Sequence, residues 1–147
     1  MRLTHFTDYS LRVLMYLAAA PQGHATIAEI AAAFGISESH LTKVVHNLGK
    51  KGLLSNMRGR GGGIELACPA ARINIGAVVR ATEADTALVE CFVPRTNRCV
   101  ITPVCRLRGV LTEALEALYA TLDKYTLEDI TDNRHRLQKV LAARGRA

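Results

Sequence analysis

Three of the four cysteines in the 147-residue chain fall within one short stretch, CFVPRTNRCVITPVC, residues 91–105. Three thiols this close in sequence suit metal or redox chemistry more than catalysis by a single nucleophile. Structural zinc takes thiols in close C-x2–4-C pairs, because both sulfurs must reach one small tetrahedral ion. Cys91, Cys99 and Cys105 are spaced C-x7-C-x5-C and offer no such pair. An iron–sulfur cluster presents its irons over a larger body and takes wider spacing. A disulfide would strand one thiol, and a catalytic thiol beside Arg106 has no histidine near it in sequence. Spacing alone therefore leaves cluster, zinc and redox thiols open. It also leaves the fourth ligand open. Cys68, in LACPA, reads as a small buried hydrophobe. His5, His24, His40 and His46 lie in the N-terminal half, and neither they nor His135 adjoin the loop.

The elements that must position this loop are helical for the most part. Hydrophobic residues make up 49% of the chain and aromatics only 5%, with abundant Ala and Leu, which favours helices over a β-sandwich. The formal charge of +6 suits a polyanionic partner. The N-terminal residues MRLTHFTDYS carry no signal-peptide pattern, and no apolar run is long enough for a membrane span. The expectation is a cytoplasmic protein without membrane contact, in which thiols stay reduced.

Thr7 is expected to cap a helix through DYSLRVLMYLAAA, stopped by Pro21, with Leu11, Leu14, Met15 and Leu17 on its buried face. Thr26 should cap a short helix, IAEIAAAF, ended by Gly35. Ser37 should cap a second, ESHLTKVVHNLGKKG, with Leu41, Val44, Val45 and Leu48 inward. Two helices joined by a short turn containing Gly form a helix-turn-helix, which Ile27, Ile30, Ala31 and Ile36 would help lock. LLSNMRGRGGGIELA then reads as strand, glycine turn and strand, so the whole is a winged helix. Residues 43–60 hold five Lys or Arg and no Asp or Glu, which favours DNA over a plain flexible hairpin. Ser37, Ser39, His40, Thr42 and Lys43 are the candidates for major-groove contact. Arg58 and Arg60 on the wing suit a narrow minor groove.

The fold class expected is mainly α with a small β-hairpin: a winged helix-turn-helix plus a long dimerisation helix. Residues 1–80 form the DNA-binding domain, 81–106 the cysteine loop and 107–147 the dimerisation and C-terminal helices. INIGAVVRATEA is expected to pack back on the first domain. Val104, Leu107, Leu111, Ala114, Leu118 and Tyr125 keep a period of 3.5 along a seam of about 33 Å, with Leu115 and Leu122 beside it. So long a seam is hard to bury on so small a domain, and a homodimer reading two half-sites supplies a partner helix as its natural cover, the alternative being a helix that lies across its own core.

LTHFTDYSLRVLMYLA at the start, RGRGGGIELA at the wing and CVITPVCRL at the loop together resemble the winged-helix family of iron–sulfur regulators, over nearly the whole chain. Within that family the likeness is to the nitric-oxide-sensitive repressors. The resemblance implies that Cys91, Cys99 and Cys105 bind an iron–sulfur cluster in each subunit of a homodimer, of 4Fe–4S type with 2Fe–2S as the alternative. It also implies a fourth ligand that is not cysteine. Asp8, in FTDYS, stands where this branch places an aspartate, contributed by Asp8 of the partner subunit. The branch that uses a histidine just after the third cysteine is not matched, since RLRG has none. Read from residues alone, Asp8 is an acidic group stabilising a helix N-terminus. Arg12, four residues on, could receive Asp8 once it is released and so act as a switch. The function implied is a non-enzymatic repressor of a palindromic operator, released when nitric oxide modifies the cluster. A cluster-free thiol or zinc regulator is the alternative, and a small iron–sulfur enzyme or electron carrier a more distant one.

Overall fold

In the computed structural model, residues 2–59, 61–83 and 87–144 are described. Helix α1 spans His5–Ala19 and begins one turn earlier than the sequence predicts. Thr4, not Thr7, is the cap: its hydroxyl accepts the Thr7 N–H at 3.2 Å. The choice between the two threonines is made far away. The Glu83 carboxylate accepts the Thr4 N–H at 3.1 Å and fixes the cap residue, while Thr7 is drawn into the core. Val13, Leu14 and Leu17 form the buried stripe, and Leu11 and Met15 pack at its margin.

Helix α2 (Ile27–Phe34) starts from Thr26 in a reciprocal capping box with Glu29 and ends at Gly35, whose φ of 64° is left-handed. Helix α3 (Glu38–Lys50) starts from Ser37 and buries Leu41, Val44, Val45 and Leu48. Strands β2 (Leu54–Met57) and β3 (Gly63–Leu66) pair antiparallel, from Leu54 opposite Leu66 to Met57 opposite Gly63. A third strand, β1 (His24–Ala25), pairs with the other edge of β3, giving the order β1-β3-β2. The sequence does not announce β1, since two residues carry no periodicity. Helix α4 (Ile75–Thr82) is capped by Asn74 and buries Val78 and Val79 against α1.

Helix α5 runs Arg106–Leu122, 17 residues, and is about 26 Å long, shorter than the expected seam. Val104 lies in a 3-10 turn, Thr102–Val104, and Tyr125 lies past the end. The helix stops because the residues that follow, Asp123 and Tyr125, are held by α4. Helix α6 (Arg134–Arg144) returns to pack on α1 and α2, its Gln138 amide donating to the Ala19 carbonyl at 2.6 Å. The core lies among α1 to α4 and the sheet and is completed by Ile73 before α4 and Leu127 after α5. Leu14, Leu17, Ile30, Leu41 and Leu48 are at most 2% exposed, each burial stabilising by about 1.5–3 kcal/mol. Helix α5 adds no buried residue of its own. No described helix is long and apolar enough to cross a membrane.

Candidate nucleic-acid interface and sensor loop

The first two turns of α3 present Ser37, Ser39, His40, Thr42 and Lys43 to solvent while Leu41 and Val44 turn inward. Local bonds set several of these side chains. The Ser37 hydroxyl caps α3 by accepting the His40 N–H at 3.4 Å and lies 3.3 Å from the Ser39 hydroxyl. The Thr42 hydroxyl donates to the Glu38 carbonyl at 2.8 Å, which spends its one proton on its own helix and leaves the oxygen free to accept. Against β2, α3 borders an open hollow of about 470 Å³ lined by Thr42, His46, Lys50, Ser55 and Asn56. Of these, Ser55 and Asn56 gave no sequence signal, because they become neighbours of the reading helix only when the hairpin folds back.

The wing turns through Gly59 and Gly61, with φ of 106° and 77°, and the Gly62 N–H donates to the Gly59 carbonyl at 3.0 Å. Side chains other than glycine rarely adopt such angles. Arg58 is exposed at the start of this turn. Arg60 lies outside the described residues.

Helix α1 carries Asp8 and Arg12 as a fork: Nε donates to Oδ1 at 3.0 Å and Nη2 to Oδ2 at 2.7 Å. Both side chains are about 40% exposed, so the pair stabilises by only about 0.3–0.5 kcal/mol. The guanidinium also lies 5.9 Å from the Tyr9 ring and 5.7 Å from the Phe34 ring. Tyr9 in turn stands 6.5 Å from the His40 ring. A path of ring and ion contacts thus joins Asp8 to the first turn of the reading helix.

The cysteine loop begins with a 3-10 turn, Glu90–Phe92, carrying Cys91. Cys99 follows in a turn braced by Asn97 and Thr102. Asn97 Oδ1 accepts the Cys99 N–H at 3.0 Å, its Nδ2 donates to the Thr102 hydroxyl at 3.0 Å, and that hydroxyl donates to the Cys99 carbonyl at 2.8 Å. Asn97 and Thr102 were missed from sequence, since a local bond network leaves no spacing signature. Cys105 is the residue from which α5 starts. Around it the loop is bare: Val100 is 90% exposed and Val104 81%. A shallow hollow of about 530 Å³ runs from Cys105 along Arg108, Thr112, Glu113 and Glu116.

The donor set fits an iron–sulfur group in kind. Cys91, Cys99 and Cys105 are free, half-buried thiols on one loop, and soft thiolate donors suit iron–sulfur clusters and zinc alike. The structure does not bring them to a point: among the described residues, no three His, Cys, Asp or Glu side chains stand together as for a metal ion. Cys68 is elsewhere, half-buried against the core beyond β3.

Residues 3–133 match the Rrf2 family, described as iron-dependent transcriptional regulators. The chain is 54% identical over 145 residues to the HTH-type transcriptional regulator NsrR of Geobacillus kaustophilus (strain HTA426), covering 98% of this chain and 99% of that one. It is 52% identical over 142 residues to the protein of the same name from Bacillus subtilis (strain 168), covering 96% and 97%. Among solved structures, CymR (YrzC), the global cysteine regulator of B. subtilis, matches with a TM-score of 0.72 at 25% identity, over 90% of this chain and 98% of that one. T. potens IscR matches in fold, with a TM-score of 0.74 at 22% identity over 94% and 91%.

Proposed function

From the premise that this chain belongs to the Rrf2 family of transcriptional regulators, we propose that it is a homodimeric, cytoplasmic repressor that binds a palindromic operator and releases it in response to nitric oxide. Cys91, Cys99 and Cys105, with Asp8 of the partner subunit, would hold an iron–sulfur cluster, 4Fe–4S or else 2Fe–2S. When bound, the cluster supplies reactivity toward nitric oxide. The chain's own residues do the rest. The exposed polar turns of α3 and the basic wing read and neutralise the duplex. The apolar loop tip and the bare face of α5 offer the surface on which a second copy would sit.

The observation that carries the switch is the Asp8–Arg12 fork. Within a single chain the carboxylate already has a resting partner, so taking Asp8 away to another ligand must free the Arg12 guanidinium. That guanidinium rests against Tyr9, the neighbour of His40, and against Phe34 at the end of α2. Release and recapture of Asp8 would therefore be felt by both helices of the helix-turn-helix.

The second reading keeps the DNA binding and leaves Cys91, Cys99 and Cys105, free thiols in the single chain, as redox thiols or zinc donors without a cluster. Anaerobically purified protein assayed for iron and acid-labile sulfide per chain separates the two. A sulfide-containing chromophore that nitric oxide bleaches, and that Asp8→Ala makes more labile, is the result expected. Zinc alone after anaerobic reconstitution would overturn the cluster. An Asp8→Ala protein with unchanged cluster stability and unchanged nitric-oxide response would overturn the role of Asp8.

A further inference from the structure

Helix α5 has no fully buried residue, and of its side chains only Tyr119 and Leu122, near its C-terminal end, pack against the core. Its direction is set at that end, where its last turn and the residues just after it lie along α4, from the Asn74 cap to Arg80 in the last turn. There Arg80 forks onto Asp123, with Nη1–Oδ1 and Nη2–Oδ2 both at 2.6 Å. The same guanidinium lies 4.5 Å from the centre of the Tyr119 ring on α5. Asn74 works both ways: its Oδ1 caps α4 by accepting the Ala77 N–H at 2.9 Å, and its Nδ2 donates to the Asp123 carbonyl at 2.8 Å. Two backbone bonds flank it, from the Ile75 N–H to the Tyr125 carbonyl at 2.9 Å and from the Leu127 N–H to the Ile73 carbonyl at 2.8 Å. Gly76 completes the fit, because a Cβ at that position would run into the Asp123 carboxylate.

A joint of this kind has leverage. For an arm of about 26 Å, a rotation of about 10° at Asp123 moves the far end by about 4.5 Å. One base pair of B-DNA rises about 3.4 Å, and half-sites must match the separation of the two reading heads. We propose that Arg80, Asp123, Asn74 and Gly76 fix the angle between the arm and the reading head, and thereby set the half-site spacing that the dimer accepts. The proposal rests on the homodimer across α5 put forward above. Both ends of the Arg80–Asp123 pair are roughly half exposed, so replacing them opens no core. Asp123 is held ionised below the ordinary carboxyl range by the Arg80 hydrogen bonds, so the fork persists at neutral pH.

The test uses duplexes selected from a random pool by the full-length wild-type protein. Each is resynthesised with one base pair added or removed between its half-sites, and also as an isolated half-site. Arg80→Gln removes the fork and the stack. Arg80→Lys keeps the charge but cannot form the bidentate pair. Wild type should prefer its selected spacing by about tenfold or more, the scale of a modest deformation cost. In both variants that preference should shrink to about threefold or less, while affinity for the isolated half-site stays unchanged. Variants that keep the wild-type spacing profile would overturn the joint as the determinant. A wild type with no spacing preference, sedimenting as a monomer, would overturn the dimer reading and this proposal with it.

Discussion

Gly63 sits where β3 passes β1, and a Cβ there would lie 2.5 Å from the Ala25 carbonyl oxygen. That neighbour is backbone within a paired strand and has little room to yield. Gly63→Ala should therefore destabilise the chain by about 1–3 kcal/mol. Urea titration measures this directly, and an unchanged midpoint would show that the two strands can part without cost. Sequence gave the wing glycines as a turn, yet it could not separate Gly63 from its neighbours, because the obstructing Ala25 is 38 positions away. At this same scale, the three loop cysteines and the polar face of α3 were legible, since residue type and spacing carry them. The Asn97–Thr102 brace and the Thr4 cap were not. Each depends on a partner that only the folded chain supplies, Glu83 in the case of Thr4.

Helices α2 and α3 start where the sequence says they should, because their caps are local. Thr26 and Glu29 close a box within four residues, and Ser37 needs only the first turn of its own helix. The Glu29 carboxyl is held below its ordinary value of 4.5, chiefly by the Thr26 backbone N–H and then by the Thr26 hydroxyl. A carboxyl lowered by folding stabilises above its unfolded value and loses that contribution as pH falls through the folded one. Glu29→Gln should therefore lower the melting temperature slightly at pH 7, with the gap to wild type closing below pH 4.5. A gap that persists in acid would assign the effect to lost shape rather than lost charge. By contrast, the arm was overrun. Its apolar stripe continues to Tyr125 in the sequence, but Asn74 and Arg80, from another part of the chain, take hold of Asp123 and end the helix. Periodicity records what could be helical, and tertiary contacts decide where the helix stops.

For the molecule as a whole, the apolar surface is unevenly distributed. The winged helix encloses its own core, whereas Leu107 and Val110 on α5 are about 60% exposed in the single chain. Contiguous surface of this kind is normally covered by a partner. Leu118 lies on the half-exposed side of the same helix, and Leu118→Glu should yield monomers in sedimentation that keep the helical content of the winged helix and lose operator affinity. A dimer that survives the change would place the interface elsewhere. A quieter feature governs how freely the wing can vary. Because β1 holds the outer edge of β3, the base of the hairpin is anchored to the turn after α1 as well as to β2. Arg58 is in that sense a replaceable fitting on a fixed mount, whereas Gly59 and Gly61 are held to glycine by their backbone angles and Gly62 by the Met57 carbonyl beside it. Exchanging Arg58 offers a way to retune how the protein grips a duplex while its scaffold, its arm and its cysteine loop stay as they are.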